Sequence, residues 1–201
     1  MVTNAPKNLP NFSGKGIWGG FQAHSNIIVK NNIVHDIPGS GIRFNDSDHI
    51  TVENNTVYNT TWWSSSAESA IVFAETIAVD SDNGTDIKMI MRGNKVFNNW
   101  NRILFFKTSQ PENSGNNNAD YGTENFTQIW DGQGLYVTRS DDNYNGVFLF
   151  ENNLCVNNGK NGINFDHSLA ASAIMQNNTI FFNGVHEIIQ DNSENDEGNT
   201  A

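Results

Sequence analysis

The sequence predicts an all-β solenoid. Three observations carry that reading: an Asn-centred motif, a Gly-Ile-x-Phe motif, and the placement of the insertions. Aligned on Asn32, Asn55, Asn94, Asn153 and Asn178, five segments have apolar residues five and three positions before the Asn and two after it. These are Ile27, Ile50, Met89, Phe148 and Ala173; Val29, Val52, Met91, Phe150 and Met175; and Val34, Val57, Val96, Cys155 and Ile180. Polar residues fill most of the gaps, giving the two-residue period of strands. The Asn marks a sharp corner, because Asn accepts left-handed backbone more readily than other residues with a Cβ.

The second motif follows about ten residues later. It reads Gly41-Ile42-Arg43-Phe44, Ala70-Ile71-Val72-Phe73, Arg102-Ile103-Leu104-Phe105, Gly134-Leu135-Tyr136-Val137 and Gly162-Ile163-Asn164-Phe165. Gly16-Ile17-Trp18-Gly19 opens the series and Glu187-Ile188-Ile189 closes it. Successive Ile/Leu positions are 25, 29, 32, 32, 28 and 25 residues apart. Such a period defines a solenoid, and here the unit consists of strands alone. The expected fold is a right-handed parallel β-helix of about six coils over residues 16–190. An irregular lead-in (1–15) precedes it and an acidic disordered tail (191–201) follows. Equivalent residues then stack about 4.8 Å apart, so the five Asn form an internal amide ladder, interrupted at coil four.

Coil one, from Ile17, is compact. Coil two turns through Asn45-Asp46-Ser47-Asp48 and leads into the loop 60–69, which carries Trp62 and Trp63. Coil three has an excursion at 75–86, and coil four runs from Ile103 into the polar stretch 107–131, which lacks the Asn motif. Coil five bulges at 139–146, and coil six is compact again. The Asn corner never lengthens. Every insertion lies beside the Gly-Ile-x-Phe strand, and loops on a rigid scaffold tend to carry function, so they wall a groove over the first sheet.

Composition agrees with one domain of 201 residues. An apolar fraction of 37% would suit disorder, but a β-helix needs only the inward half of each strand to be apolar. The net charge of −11 argues against nucleic acid as a partner. Cys155, the lone cysteine, sits at a core position and reads as a small hydrophobe. No signal peptide or membrane-spanning run stands in the sequence. No helical cap precedes coil one, and open coils present unpaired edges, so a trimmed or truncated solenoid is expected.

The segments IIVKNNIVHD, ITVENNTVYNTTWW and DGQGLYV…FLFENNLCVNNGKNGINF resemble the pectate-lyase-like superfamily of right-handed β-helix proteins. The likeness covers roughly residues 16–190. It implies a carbohydrate-active protein, exported to the extracellular space or periplasm, with a polysaccharide as partner. Neither the Arg-x-Pro-x-x-Arg pattern of pectate lyases nor the Gly-His-Gly of polygalacturonases occurs. No catalytic residue therefore carries over.

Site candidates come from the outward positions of the first strands, Arg43 and Asn45, Val72 and Ala74, Leu104 and Phe106, Tyr136 and Thr138, Asn164 and Asp166. Glu75, Lys107, Arg139 and His167 follow at the start of the turn. Eliminating across a uronate requires a neutralised carboxylate, a base for the C5 proton and an acid for the leaving oxygen. Arg139 or Lys107 is the candidate base, and Tyr136 or His167 the candidate acid. Asp166 with Glu75 or Asp131 is the carboxylate pair for the alternative, glycoside hydrolysis. Arg43, Asn45, Asn164 and Glu75 would bind substrate, with Trp62 and Trp63 as a stacking platform at the rim. Asp46, Asp48, Asp80, Asp82 and Asp86 form the candidate cation site, whose clustered carboxylates suit calcium. The remaining alternative is a non-catalytic carbohydrate-binding or adhesive β-helix, part of a larger surface protein.

Overall fold

A computed structural model describes residues 14–62, 68–80, 86–100 and 132–184. Each coil contributes three strands. Coil one has β1 (Ile17–Gly19), β2 (His24–Lys30) and β3 (Ile33–Ile37), and coil two has β4 (Ile42–Asn45), β5 (Ser47–Glu53) and β6 (Thr56–Thr60). In coil three these are β7 (Ile71–Ala74), β8 (Ile87–Arg92) and β9 (Lys95–Phe97). Then come β10 (Leu135–Thr138), β11 (Val147–Glu151) and β12 (Leu154–Val156), and last β13 (Ile163–Asp166), β14 (Ser172–Gln176) and β15 (Thr179–Phe181). They stack into three five-stranded sheets, β1-β4-β7-β10-β13, β2-β5-β8-β11-β14 and β3-β6-β9-β12-β15. Every pairing is parallel. No helix occurs among the described residues, so none there is long and apolar enough to cross a membrane.

The two sequence motifs supply the core. Ile42, Ile71 and Leu135 stack in one sheet, Ile50, Met89 and Phe148 in the next, and Val57, Val96 and Cys155 in the third, all buried. Cys155 is a free, buried thiol, and burial pushes its pKa up to about 12. A thiol so held stays protonated and inert. Iodoacetamide should therefore leave the native protein unmodified and label one site once it is unfolded in urea. Labelling at equal rates in both states would contradict this packing.

Coil three stacks directly on the coil that begins at Leu135, with Ile71 opposite Leu135 and Met89 opposite Phe148. The described residues thus form five coils. Arg102-Ile103-Leu104-Phe105, read from the sequence as the first strand of an intervening coil, lies outside them.

The Asn ladder is accordingly unbroken. Asn32 donates to Asn55, Asn55 to Asn94, Asn94 to Asn153 and Asn153 to Asn178, at 2.9–3.1 Å between amide nitrogen and oxygen. From Asn55 onward each amide also donates to a carbonyl of the preceding coil: Val29, Val52, Met91 and Phe150. The left-handed backbone belongs to the residue just before each ladder Asn: Asn31, Asn54, Gly93, Asn152 and Asn177, at φ 54–64°. Two neighbours share the work the sequence reading gave to one.

Five positions further on, a second ladder lines the next corner. Thr60 donates to Asn99, Asn99 to Asn158 and Asn158 to Asn183. Its left-handed residues are Asp36, Asn59, Asn98, Asn157 and Phe182. The third corner, after the first strand, turns at Phe21, Asp46, Glu75, Arg139 and His167. Buried hydroxyls follow it at Ser47, Thr76, Ser140 and Ser168, and Ser168 donates to Ser140 at 3.0 Å.

Candidate functional site

Parallel register lays out the outer face of the first sheet. One column reads Trp18, Arg43, Val72, Tyr136, Asn164, and its neighbour reads Asn45, Ala74, Thr138, Asp166. Of the outward positions read from sequence, Leu104 and Phe106 lie outside the described residues, and the middle of the described face is buried. Val72, Ala74 and Tyr136 form an apolar cluster of their own. What stays open lies toward the two ends.

Toward coil one, the site centres on a residue the sequence reading missed. Glu68, 1% exposed, takes a hydrogen bond from Ser40. It pairs with Lys15 at 2.9 Å and Arg43 at 3.4 Å. Two cations around one buried carboxylate offset its desolvation. Arg43 Nε also donates to Asn45 at 2.8 Å, and Asn45 donates to Glu75 at 2.7 Å. Arg43, Asn45 and Glu75 are therefore brought together, and each side chain has a partner.

Toward coil five, Tyr136 and Asn164 both donate to Asp166 Oδ2, at 3.2 and 3.1 Å. His167 Nδ1 stands 3.0 Å from Asp166 Oδ1, although Oδ1 accepts no hydrogen bond in proper geometry. Arg139 is exposed one coil away, in the same corner column as Glu75 and His167. Of the stacking pair, Trp62 is half-buried, while Trp63 lies outside the described residues, as do Lys107 and Asp131.

Part of the acidic cluster expected from the sequence lies among the described residues. Asp48, His49 and Asp80 present ligand atoms within 4.8 Å of one another, whereas Asp46 and Asp86 are not in that group and Asp82 lies outside the described residues. The buried Lys88 ammonium is 3.0 Å from Asp80 and 3.8 Å from Asp48. Asp48 further accepts from Tyr144 at 2.9 Å and from the backbone of His49 and Val79. Calcium takes about six to eight oxygen ligands, but here an imidazole nitrogen and a lysine occupy the cluster. The donor set fits an internal ion-pair knot better than a calcium cage. Millimolar calcium is expected to leave the melting temperature unchanged, and a clear rise would show the ion displacing Lys88.

Among the described residues, two carboxyls titrate below their ordinary range. Hydrogen bonds from Lys88 and then His49 hold Asp80 below its usual 3.8, and those from Arg92 and then Gln176 hold Glu151 below 4.5. A depressed carboxyl adds stability above its unfolded pKa and loses it as pH falls through the folded value. Urea midpoints should be level with respect to these two groups from neutral pH down to that range, then drop below it. Asp80→Asn with Glu151→Gln should flatten the drop, and an unchanged acid limb in the double variant would refute the assignment.

Residues 11–120, just over half of the chain, match the family model described as right handed beta helix region. The chain belongs to that family. No curated protein and no solved structure matches it.

Proposed function

We propose that this β-helix is a polysaccharide lyase that acts on an acidic polymer laid along the outer face of the first sheet. The observation that carries the reading is the choice of residues at the groove corner. At the other two corners, nine of ten left-handed positions hold Asn, Asp or Gly, but at this one only Asp46 does. Glu75, Arg139 and His167 adopt φ 46–55° there. That conformation is unfavourable for Glu and Arg, which points to side chains kept for chemistry.

Arg139 neutralises the uronate carboxylate and so acidifies C5. His167, beside Asp166, takes the C5 proton. The electron pair forms the C4–C5 double bond, the C4–oxygen bond breaks, and the proton returns to the leaving oxygen. Tyr136 and Asn164 hold Asp166 in place. Such polymers lie outside the cytoplasm, and the protein would meet them there.

The test is ultraviolet detection of unsaturated product over a panel of uronate polymers. His167→Asn and Arg139→Asn keep a residue that favours the corner, and each should lower turnover by about a hundredfold. Wild-type turnover in both variants would exclude these roles. A second reading, a non-catalytic glycan-binding β-helix, draws support from the mutual pairing of Glu68, Lys15, Arg43, Asn45 and Glu75. It predicts binding without product. New reducing ends without unsaturation would favour hydrolysis by Glu75 and Asp166.

A further inference from the structure

We infer that Trp18, held over Gly20 at the coil-one end of the same groove, is a stacking platform for a pyranose ring of the bound polysaccharide. The inference rests on the groove reading above and adds a subsite to it. Trp18 is 50% exposed although it belongs to a paired strand. Its neighbour Phe21 is 65% exposed and meets it edge-on, with centroids 5.7 Å apart at 86°. Two large aromatic residues open to water on one coil are costly unless something covers them.

The indole is fixed in position by its surroundings. A Cβ on Gly20 would come within 2.3 Å of the six-membered ring, so the ring lies directly against the Gly20 backbone. Lys15 Nζ is 5.6 Å from the ring centroid, within cation–π reach. The same ammonium pairs with Glu68, which ties the platform to the polar chain through Arg43, Asn45 and Glu75. A rigid apolar surface bordered by hydrogen-bonding groups matches a pyranose, whose C–H face is apolar and whose rim is hydroxylated. Register sets the reach: Trp18 and Asn164 occupy one column four rungs apart. At about 4.8 Å per rung the two open ends of the face lie roughly 19 Å apart, the length of about four sugar residues, with Val72 and Tyr136 covered between them. Trp18 holds the outward x position of the first Gly-Ile-x copy, a signal visible in the sequence itself.

The experiment measures indole fluorescence and calorimetric binding of tetramers of galacturonate, mannuronate and glucose, with wild type, Trp18→Ala, Trp18→Phe and Gly20→Ala. Trp18→Ala should weaken the bound tetramer about tenfold, equivalent to 1.4 kcal/mol, and Trp18→Phe should recover part of the loss. Gly20→Ala keeps the indole but pushes it from its seat, and should weaken binding as Trp18→Ala does. Circular dichroism of each variant should match wild type, because Trp18 and Gly20 are not part of the buried core of coil one. Equal affinity in wild type and Trp18→Ala overturns the inference, and so does failure of wild type to bind any tetramer. Unsaturated product with an unchanged KM in Trp18→Ala would remove the platform and leave the lyase reading standing. Trp18-dependent binding without product would do the reverse.

Discussion

Replacing Asn94 with alanine should destabilise the protein by about 3–5 kcal/mol, the sum of several buried groups left unsatisfied at about 1–3 kcal/mol each. Asn94 is fully buried, and its side chain serves both neighbouring coils. Its oxygen accepts from the backbone and the side chain of Asn55, while its amide donates to Val52 and to Asn153. Asn55, Asn94 and Asn153 are at most 1% exposed, so the groups left behind are enclosed. Asn32→Ala provides the comparison: Asn32 is half-buried and ends the row, so its loss should cost about 1 kcal/mol. Urea unfolding with an unchanged slope reads the difference in the midpoints. Equal losses at Asn94 and Asn32 would mean that the ladder does not couple the coils.

Asp48→Ala is expected to be comparably severe, at about 3–5 kcal/mol, because it strips a buried ion pair of one partner. Asp48 is wholly enclosed and ties three segments together: Val79 beyond coil three's first strand, Lys88 in β8, and Tyr144 ahead of β11. Without it the Tyr144 hydroxyl loses its carboxylate acceptor, and Lys88, itself buried, keeps Asp80 alone of the two acids. The carboxylate at this phenol, together with burial, raises the Tyr144 pKa well above the usual phenol value, burial being the larger cause. Asp80→Ala should be much milder, since Asp80 is open to water and Lys88 retains Asp48. A mild effect at Asp48 would return the cluster to the role of solvated turn acids.

How much of this was legible in the sequence depended on what kind of pattern each feature leaves. Core positions repeat in the plain text of the chain, so Ile42, Ile71, Phe148 and Cys155 are legible there as inward-facing. The Asn32–Asn178 row was legible for the same reason. The second row was not found, although Asn99, Asn158 and Asn183 each stand five residues beyond a ladder Asn, because coils one and two carry Ile37 and Thr60 there instead. Arg102-Ile103-Leu104-Phe105 reads from the sequence as the first strand of an intervening coil, whereas β7 pairs directly with β10. Glu68 escaped notice for another reason. Its partners Lys15, Ser40 and Arg43 come from two other coils, and only parallel register brings them within reach.

All the ladder amides point the same way. Each Asn from coil one to coil four gives its side-chain proton to the coil that follows and, from coil two onward, takes one from the coil before. The row is therefore vectorial: among the described residues it finishes in an acceptor oxygen on Asn32 and a donor hydrogen on Asn178. The cylinder has two chemically different faces, and a coil added at either one is matched only if it continues the same sense. Turned end for end, it would meet donor with donor or acceptor with acceptor. A motif that repeats to fill the interior thus also gives the whole solenoid a direction.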